Sequence, residues 1–161
     1  MSVSMVDVEV PDGRRFEHHS MHSADAAGTL IVDSDQGVLL LWRHRILSDT
    51  WGWEIPAGRV DDGETPIEAA EREATEETGW RPGPLRQLAS YQPVNGVSAM
   101  RFHLFLADGA THVGDPADPT EAERIEWVSV DRLRAIIAGH QMPDGLSLTA
   151  CLYALAVCGL D

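Results

Sequence analysis

Residues 61–77 hold eight of the chain's 26 acids: Asp61, Asp62, Glu64, Glu68, Glu71, Glu73, Glu76 and Glu77. Arg72 is the only base among them. Glu73, Glu76 and Glu77 fall at i, i+3 and i+4, so on a helix they share one face. Like charges at that spacing cost about 0.2–0.5 kcal/mol per pair. A helix that merely faced water would be better served by alternating signs. Clustered hard oxygen ligands suit a divalent cation, Mg²⁺ or Mn²⁺. Such an ion lowers the pKa of a bound water.

The segment upstream adds to this chemistry. Glu54-Ile55-Pro56-Ala57-Gly58 leads from a strand into a loop that returns to the helix start. Gly58 lets the backbone come close to a ligand, and the Ala57 carbonyl is a candidate metal ligand. Arg72 precedes Glu73 and so projects to a different side of the helix. There it holds Glu54 or Glu64 behind the metal ligands, or pairs within the helix with Glu68 or Glu76. Arg45, Trp51, Trp53, Glu54 and Arg59 are the candidates for substrate binding. Arg45 and Arg59 grip phosphate or make surface salt bridges. Trp51 and Trp53 flank Gly52 and offer a ring to a base, or pack at a strand edge. His18, His19 and His22 do not read as a metal set, because His18 and His19 point to opposite faces of a strand.

The elements that must position these groups are legible in outline. Val6 to Val10 alternates as a strand, Pro11-Asp12-Gly13 turns, and Arg14 to His19 returns. Ala26 to Val32 reads as a buried strand, with Val38 to Trp42 returning after a polar turn. His44 to Gly52 reads as a loop and Trp53 to Ile55 as a short strand. Thr65 and Glu68 form a capping box with Pro66 at the first helical position, and Gly79 stands where the helix should stop. Leu85 to Tyr91, Met100 to Leu106 and Ile125 to Val128 read as strands, with a Gly/Asp/Pro-rich loop from Asp108 to Thr120. Ser129 caps a helix over Asp131 to Ala138, and Ser147 to Val157 reads as a last apolar helix. Grouped strands with interspersed helices predict an α+β fold on a mixed sheet.

The 161 residues suit a single domain, 1–161. Net charge is −14, and all 12 bases are arginine. Without lysine there is no phosphate-loop lysine and no Schiff base. The acidic balance argues against nucleic acid and anionic membranes as partners. Cys151 and Cys158 lie seven apart on one helix face, too distant to bond, and read as packed core thiols. No signal peptide opens the chain and no apolar run would span a bilayer, which points to the cytoplasm.

The stretch Gly58-x5-Glu64-x7-Arg72-Glu73-Ala74-x-Glu76-Glu77-x-Gly79-Trp80 resembles the signature box of the Nudix hydrolase family at every defined position. The resemblance implies a Nudix-type α/β/α sandwich with a mixed sheet, the box forming a loop–helix–loop. It implies Mg²⁺-assisted attack of water on a pyrophosphate linked to a nucleoside. By position, Glu73 and Glu77 become the principal metal ligands, Glu76 a further ligand or water-orienting group, and Arg72 the residue that orients the acids. Arg45 followed nine residues later by Glu54-Ile55-Pro56-Ala57-Gly58 is similar to the ADP-ribose and nucleotide-sugar pyrophosphatase branch. Two features depart from that branch: the loop is Pro93-Val94-Asn95-Gly96, and Met100 stands where it has an acid. The branch implies a glutamate delivered by a mobile late loop as general base, here Glu121 or Glu123, with Glu121 favoured. It also implies a homodimer built through the N-terminal hairpin, residues 6–19. A nucleoside-triphosphate or dinucleoside-polyphosphate pyrophosphatase is the alternative enzyme. A nonhydrolysing nucleotide-sensing domain is the other alternative, which the intact acid set disfavours.

Overall fold

The structure, a computed structural model, describes residues 1–161. It opens on an antiparallel ribbon of β1 (Ser2–Glu9) and β2 (Arg15–His22), closed at Gly13 with φ 83°. Pairing extends to Ser2 and His22 at the open end, beyond the alternating segment, because the ribbon is anchored there. The Met21 N–H donates to the Val97 carbonyl (2.7 Å), and His18 Nε2 bonds the Gly96 carbonyl (2.7 Å).

The central sheet is mixed, in the order β11-β4-β3-β9-β8, with β5 beside β4 and β6 beside β3. Its strands are β3 (Ala26–Asp33), β4 (Gly37–Arg45), β5 (Thr50–Glu54), β6 (Ala57–Arg59), β8 (Leu85–Tyr91), β9 (Phe102–Asp108) and β11 (Arg124–Val128). β3 and β9 are parallel and the other pairs antiparallel. Helix α1 (Pro66–Thr78) packs on one face and α3 (Gly145–Val157) on the other, with α2 (Val130–Ala138) against β4. This is the α/β/α sandwich.

The α1 face meets the helix through small groups. Ala27, Ala69, Ala70 and Phe105 form one cluster, and Ile31, Leu39, Ala74 and Ala107 another. The Thr29 hydroxyl donates to the Ala70 carbonyl at 2.9 Å. The opposite face is larger, with Leu30, Leu40, Leu104 and Leu106 under Leu133, Ile136, Leu146, Ala150, Cys151 and Ala154. No helix is long and apolar enough to cross a membrane.

Helix α1 begins and ends where its local signals place it. Thr65 and Glu68 make the reciprocal capping box, and Gly79 takes φ 73°. Elsewhere tertiary pairing moved the boundaries. The expected loop over His44 to Gly52 shrinks to residues 46–49, because Arg43, His44 and Arg45 pair with Gly52, Trp51 and Thr50. The expected loop from Asp108 contains β10 (Ala110–His112), which pairs with an unforeseen β7 (Trp80–Pro82). Helix α3 starts earlier, at an Asp144 cap. Of the two cysteines only Cys151 is a core thiol, with burial pushing it up to about 12; Cys158 is exposed at the end of α3.

Candidate active site

Because α1 lies on alanines, its carboxylates reach the sheet. A Cβ at Gly58 would sit 2.1 Å from the Glu73 carboxylate, so any larger residue there would push that carboxylate aside. Glu77 is 5% exposed. Its Oε1 accepts from Arg43 Nη2 (2.7 Å) and its Oε2 from the Ala57 N–H (2.9 Å). Burial is the main cause that pushes Glu77 up to about 7, against the pull of Arg43 and the Ala57 amide. Burial likewise raises Glu73, against the neighbouring Arg72. The negative charge of Glu121 adds, as the smallest cause, to both shifts.

Arg72 forks over several acids at once. Its Nε and Nη2 each bond one oxygen of Glu64 at 2.9 Å. Nη1 reaches Glu73 (2.8 Å) and Glu76 (3.1 Å), and Nη2 also donates to the Arg59 carbonyl (3.0 Å). Both readings of Arg72 thus hold in part: it ties Glu64 and it pairs within the helix with Glu76. It does not touch Glu54, and it curls back to Glu73 rather than pointing away. Glu54 lies beneath Arg45, which bonds both its oxygens, from Nε at 2.9 Å and from Nη2. Glu54 is 1% exposed, so the pair presents Arg45 rather than Glu54 to a ligand.

Sequence reasoning missed Arg43. The available signal was its place in β4, where Leu39 and Leu41 precede it at the same alternation on the α1 face. An arginine that continues a buried alternation needs an acid opposite, and Glu77 is that acid.

The late loop is held rather than free. The Val113 N–H donates to the Gly79 carbonyl (2.9 Å) and the Ala117 N–H to the Glu76 carbonyl (2.7 Å), capping the end of α1. Glu121 and Glu123 are both exposed, and the Glu123 N–H is anchored on the Trp42 carbonyl at 2.9 Å.

The tryptophans lie away from the acids. Trp42 pairs with Trp53 and His44 with Trp51, whereas Arg43 pairs with Gly52 and Leu41 with Glu54. Trp51 and Trp53 therefore face away from Arg43 and Glu54. Trp53 is 3% exposed in the core under the guanidiniums of Arg124 and Arg132, so it offers no ring to a base. Trp51 is exposed but stacks on Trp42 at 6.1 Å, on that same far face. Arg59 joins the site through its carbonyl, and Ala57 through its N–H.

No group of three or more His, Cys, Asp or Glu side chains stands in ready-made metal geometry. The box acids are instead shared between two arginines, Glu77 with Arg43 and Glu73 and Glu76 with Arg72. Their chemistry nonetheless fits a divalent cation. Glu73 and Glu77 are buried carboxylates on one helix face, raised by desolvation despite their arginine partners, and such hard oxygen donors suit a divalent cation.

The NUDIX domain family model matches residues 22–146. The chain is 42% identical over 161 residues, 99% of its length, to the CMP-5'-(N-acetyl-N-hydroxy-3-aminopropyl)phosphonate hydrolase of Streptomyces rubellomurinus, covering 76% of that protein. It is 27% identical over 150 residues to the ADP-ribose pyrophosphatase of Bacillus subtilis, covering 91% of this chain and 80% of the other. A crystal structure of an ADP compounds hydrolase superposes with a TM-score of 0.80 at 19% identity, covering 95% of this chain and 83% of that one. The likeness at that identity concerns the fold. With its box folded as loop and helix and its acids gathered on Gly58 and Arg43, the chain belongs to the Nudix family and is a Nudix pyrophosphohydrolase.

Proposed function

We propose that the protein uses Mg²⁺, with Mn²⁺ as a substitute, to hydrolyse the anhydride between a nucleoside 5'-phosphate and a second phosphorus-bearing moiety, with ADP-ribose or a related nucleotide sugar as substrate. The observation that carries it is the pairing of Glu73 against Gly58 with Glu77 beneath Arg43, two desolvated carboxylates on one face of one helix. A divalent cation bound there neutralises phosphate oxygens and lowers the pKa of the attacking water. Glu73 and Glu77 hold it, with Glu76 at the exposed edge. Arg72 keeps Glu64, Glu73 and Glu76 in register through its fork. Glu121 accepts the proton of the water that attacks phosphorus. The bond from that phosphorus to the bridging oxygen breaks, and the departing phosphate keeps the electron pair. Glu121→Gln should lower turnover roughly a hundredfold, the scale of a lost general base, with Mg²⁺ affinity unchanged. Substitution of Glu123 should leave turnover intact.

The relative at 42% identity supports a second reading, a CMP-linked phosphonate as substrate. Chromatography of products separates the readings. ADP-ribose should give AMP and ribose 5-phosphate and exceed ATP at least tenfold in kcat/KM. Faster turnover of a CMP-linked phosphonate would install the second reading, and faster triphosphates would displace both. We also propose a homodimer through the ribbon, whose Val3, Met5, Val6 and Phe16 are exposed. Light scattering should give twice the chain mass, and an active monomer at micromolar concentration would refute it.

A further inference from the structure

Arg43 is a buried cation with little to hold. Its side chain is 6% exposed, and its only hydrogen bond in the fold runs from Nη2 to Glu77. Nε is buried without a partner. A guanidinium carries five N–H donors in a planar fork, so most of its capacity goes unused. Buried polar groups are satisfied as a rule, and each exception calls for a reason. The only other such atom in the protein, Trp127 Nε1, is neutral.

Both Glu77 oxygens are engaged in this arrangement, Oε1 by Arg43 and Oε2 by the Ala57 amide, and each keeps one further acceptor position. A cation on those remaining positions would lie beside the Arg43 guanidinium, and two positive charges that close repel strongly in a site this dry, so cation and Arg43 compete for Glu77. Once Glu77 is given to the cation, the guanidinium loses its one partner. A phosphate that arrives with the cation supplies what it lacks, several acceptor oxygens that a fork meets two at a time.

We propose that Arg43 is a phosphate-binding residue held in reserve by Glu77: it neutralises Glu77 in the metal-free protein, yields it to a divalent cation, and turns its fork to the substrate's phosphate. The inference rests on Glu77 as a metal ligand but not on which nucleotide is cleaved. Its thermodynamic consequence is coupling. Cation and anion each free a partner for the other, so each tightens the other's binding by the same factor.

The experiment measures Mn²⁺ binding by electron paramagnetic resonance, with and without inorganic phosphate, and needs no turnover. In the wild type, phosphate should tighten Mn²⁺ binding at least fivefold after correction for their association in solution. In Arg43→Gln, Mn²⁺ without phosphate should bind several-fold more tightly, because its competitor is gone, and phosphate should no longer help. A residue that merely props up the fold would weaken both. Equal or weaker Mn²⁺ binding in that variant, or coupling that persists, overturns the proposal. Arg43→Lys keeps the charge and loses the fork, and it decides the matter should Arg43→Gln not fold. It should bind Mn²⁺ as the wild type does and lose most of the coupling; coupling of wild-type size refutes the assignment. Mn²⁺ affinity unchanged in Glu77→Gln would instead overturn the metal-ligand reading, and this inference with it.

Discussion

The two faces of the central sheet are built from residues of different size. Toward α3 the contact is leucine on leucine, with Leu30, Leu40, Leu104 and Leu146 all buried. Toward α1 it is largely alanine, with Ala27, Ala69, Ala70, Ala74 and Ala107 fully buried. Burying a leucine contributes about 1.5–3 kcal/mol, so the leucine face supplies most of the cohesion. Small residues give that up and let a helix approach more closely, since helix separation follows the side chains at the contact. On this sheet the close approach sets Glu73 on Gly58 and Glu77 on Arg43. Stability and chemistry are divided between opposite sides of the same strands, and substitutions on the two sides should fail in different ways.

The largest effect should come from the helix acids. Glu73→Gln and Glu77→Gln should each lower the rate roughly a thousandfold or more at saturating Mg²⁺, as loss of a metal ligand costs several kcal/mol. Glu73→Gln should melt as the wild type does, because Arg72 keeps Glu64 and Glu76. Wild-type turnover in either variant would break the division. On the other face, Leu104→Ala should cost about 2–5 kcal/mol of stability, read by urea unfolding, with turnover of the folded protein unchanged.

A pH effect comes next. The Glu77 carboxyl ordinarily titrates near 4.5 and stands near 7 in the folded protein. Between those values the unfolded chain is ionised while folded Glu77 keeps its proton. The unfolded state then binds fewer protons, so stability falls as pH rises. Chelator-treated protein should lose about 3 kcal/mol from pH 4.5 to 7, at 1.36 kcal/mol per unit, and Glu77→Gln should remove most of the slope. Glu73, also raised by burial, adds to the fall in the same sense, whereas Asp25, Glu64, Glu68 and Asp118 are shifted downward and act below that window. A flat profile in the wild type would mean that Glu77 is not desolvated. The smallest effect should be that of Ala70→Val, which overpacks the α1 contact at about 1–3 kcal/mol. It should lower turnover as well, because it lifts the acids from the sheet. Unchanged turnover would show that close approach is not what the alanines secure.

The acid-bearing helix could be read from spacing alone, whereas the division between the two faces could not. The capping box, the glycine stop and the i, i+3, i+4 acids are set within a few residues of one another, and local geometry follows from local sequence. The mixed sheet and its helices follow from alternation and periodicity. What lies between distant segments was not legible. Arg43 and Glu77 are 34 residues apart, and nothing in either neighbourhood names the other. By sequence Trp51 and Trp53 stood open between stacking on a base and packing at a strand edge, and strand pairing puts both on the face away from Arg43 and Glu54. Asp108 to Thr120 looked free, but β7 pairs part of it and α1's last carbonyls anchor its continuation.

By itself, then, the sequence determined the family, the helix that carries the acids, and the residue types that a phosphate-cleaving site requires. The tertiary structure alone decided which arginine answers which acid and which face each strand residue takes. The reason is physical. Caps and periodicity act through bonds a few residues long, whereas burial, which lifts Glu77 and strands the Arg43 donors, exists only once remote strands and α1 have closed on each other.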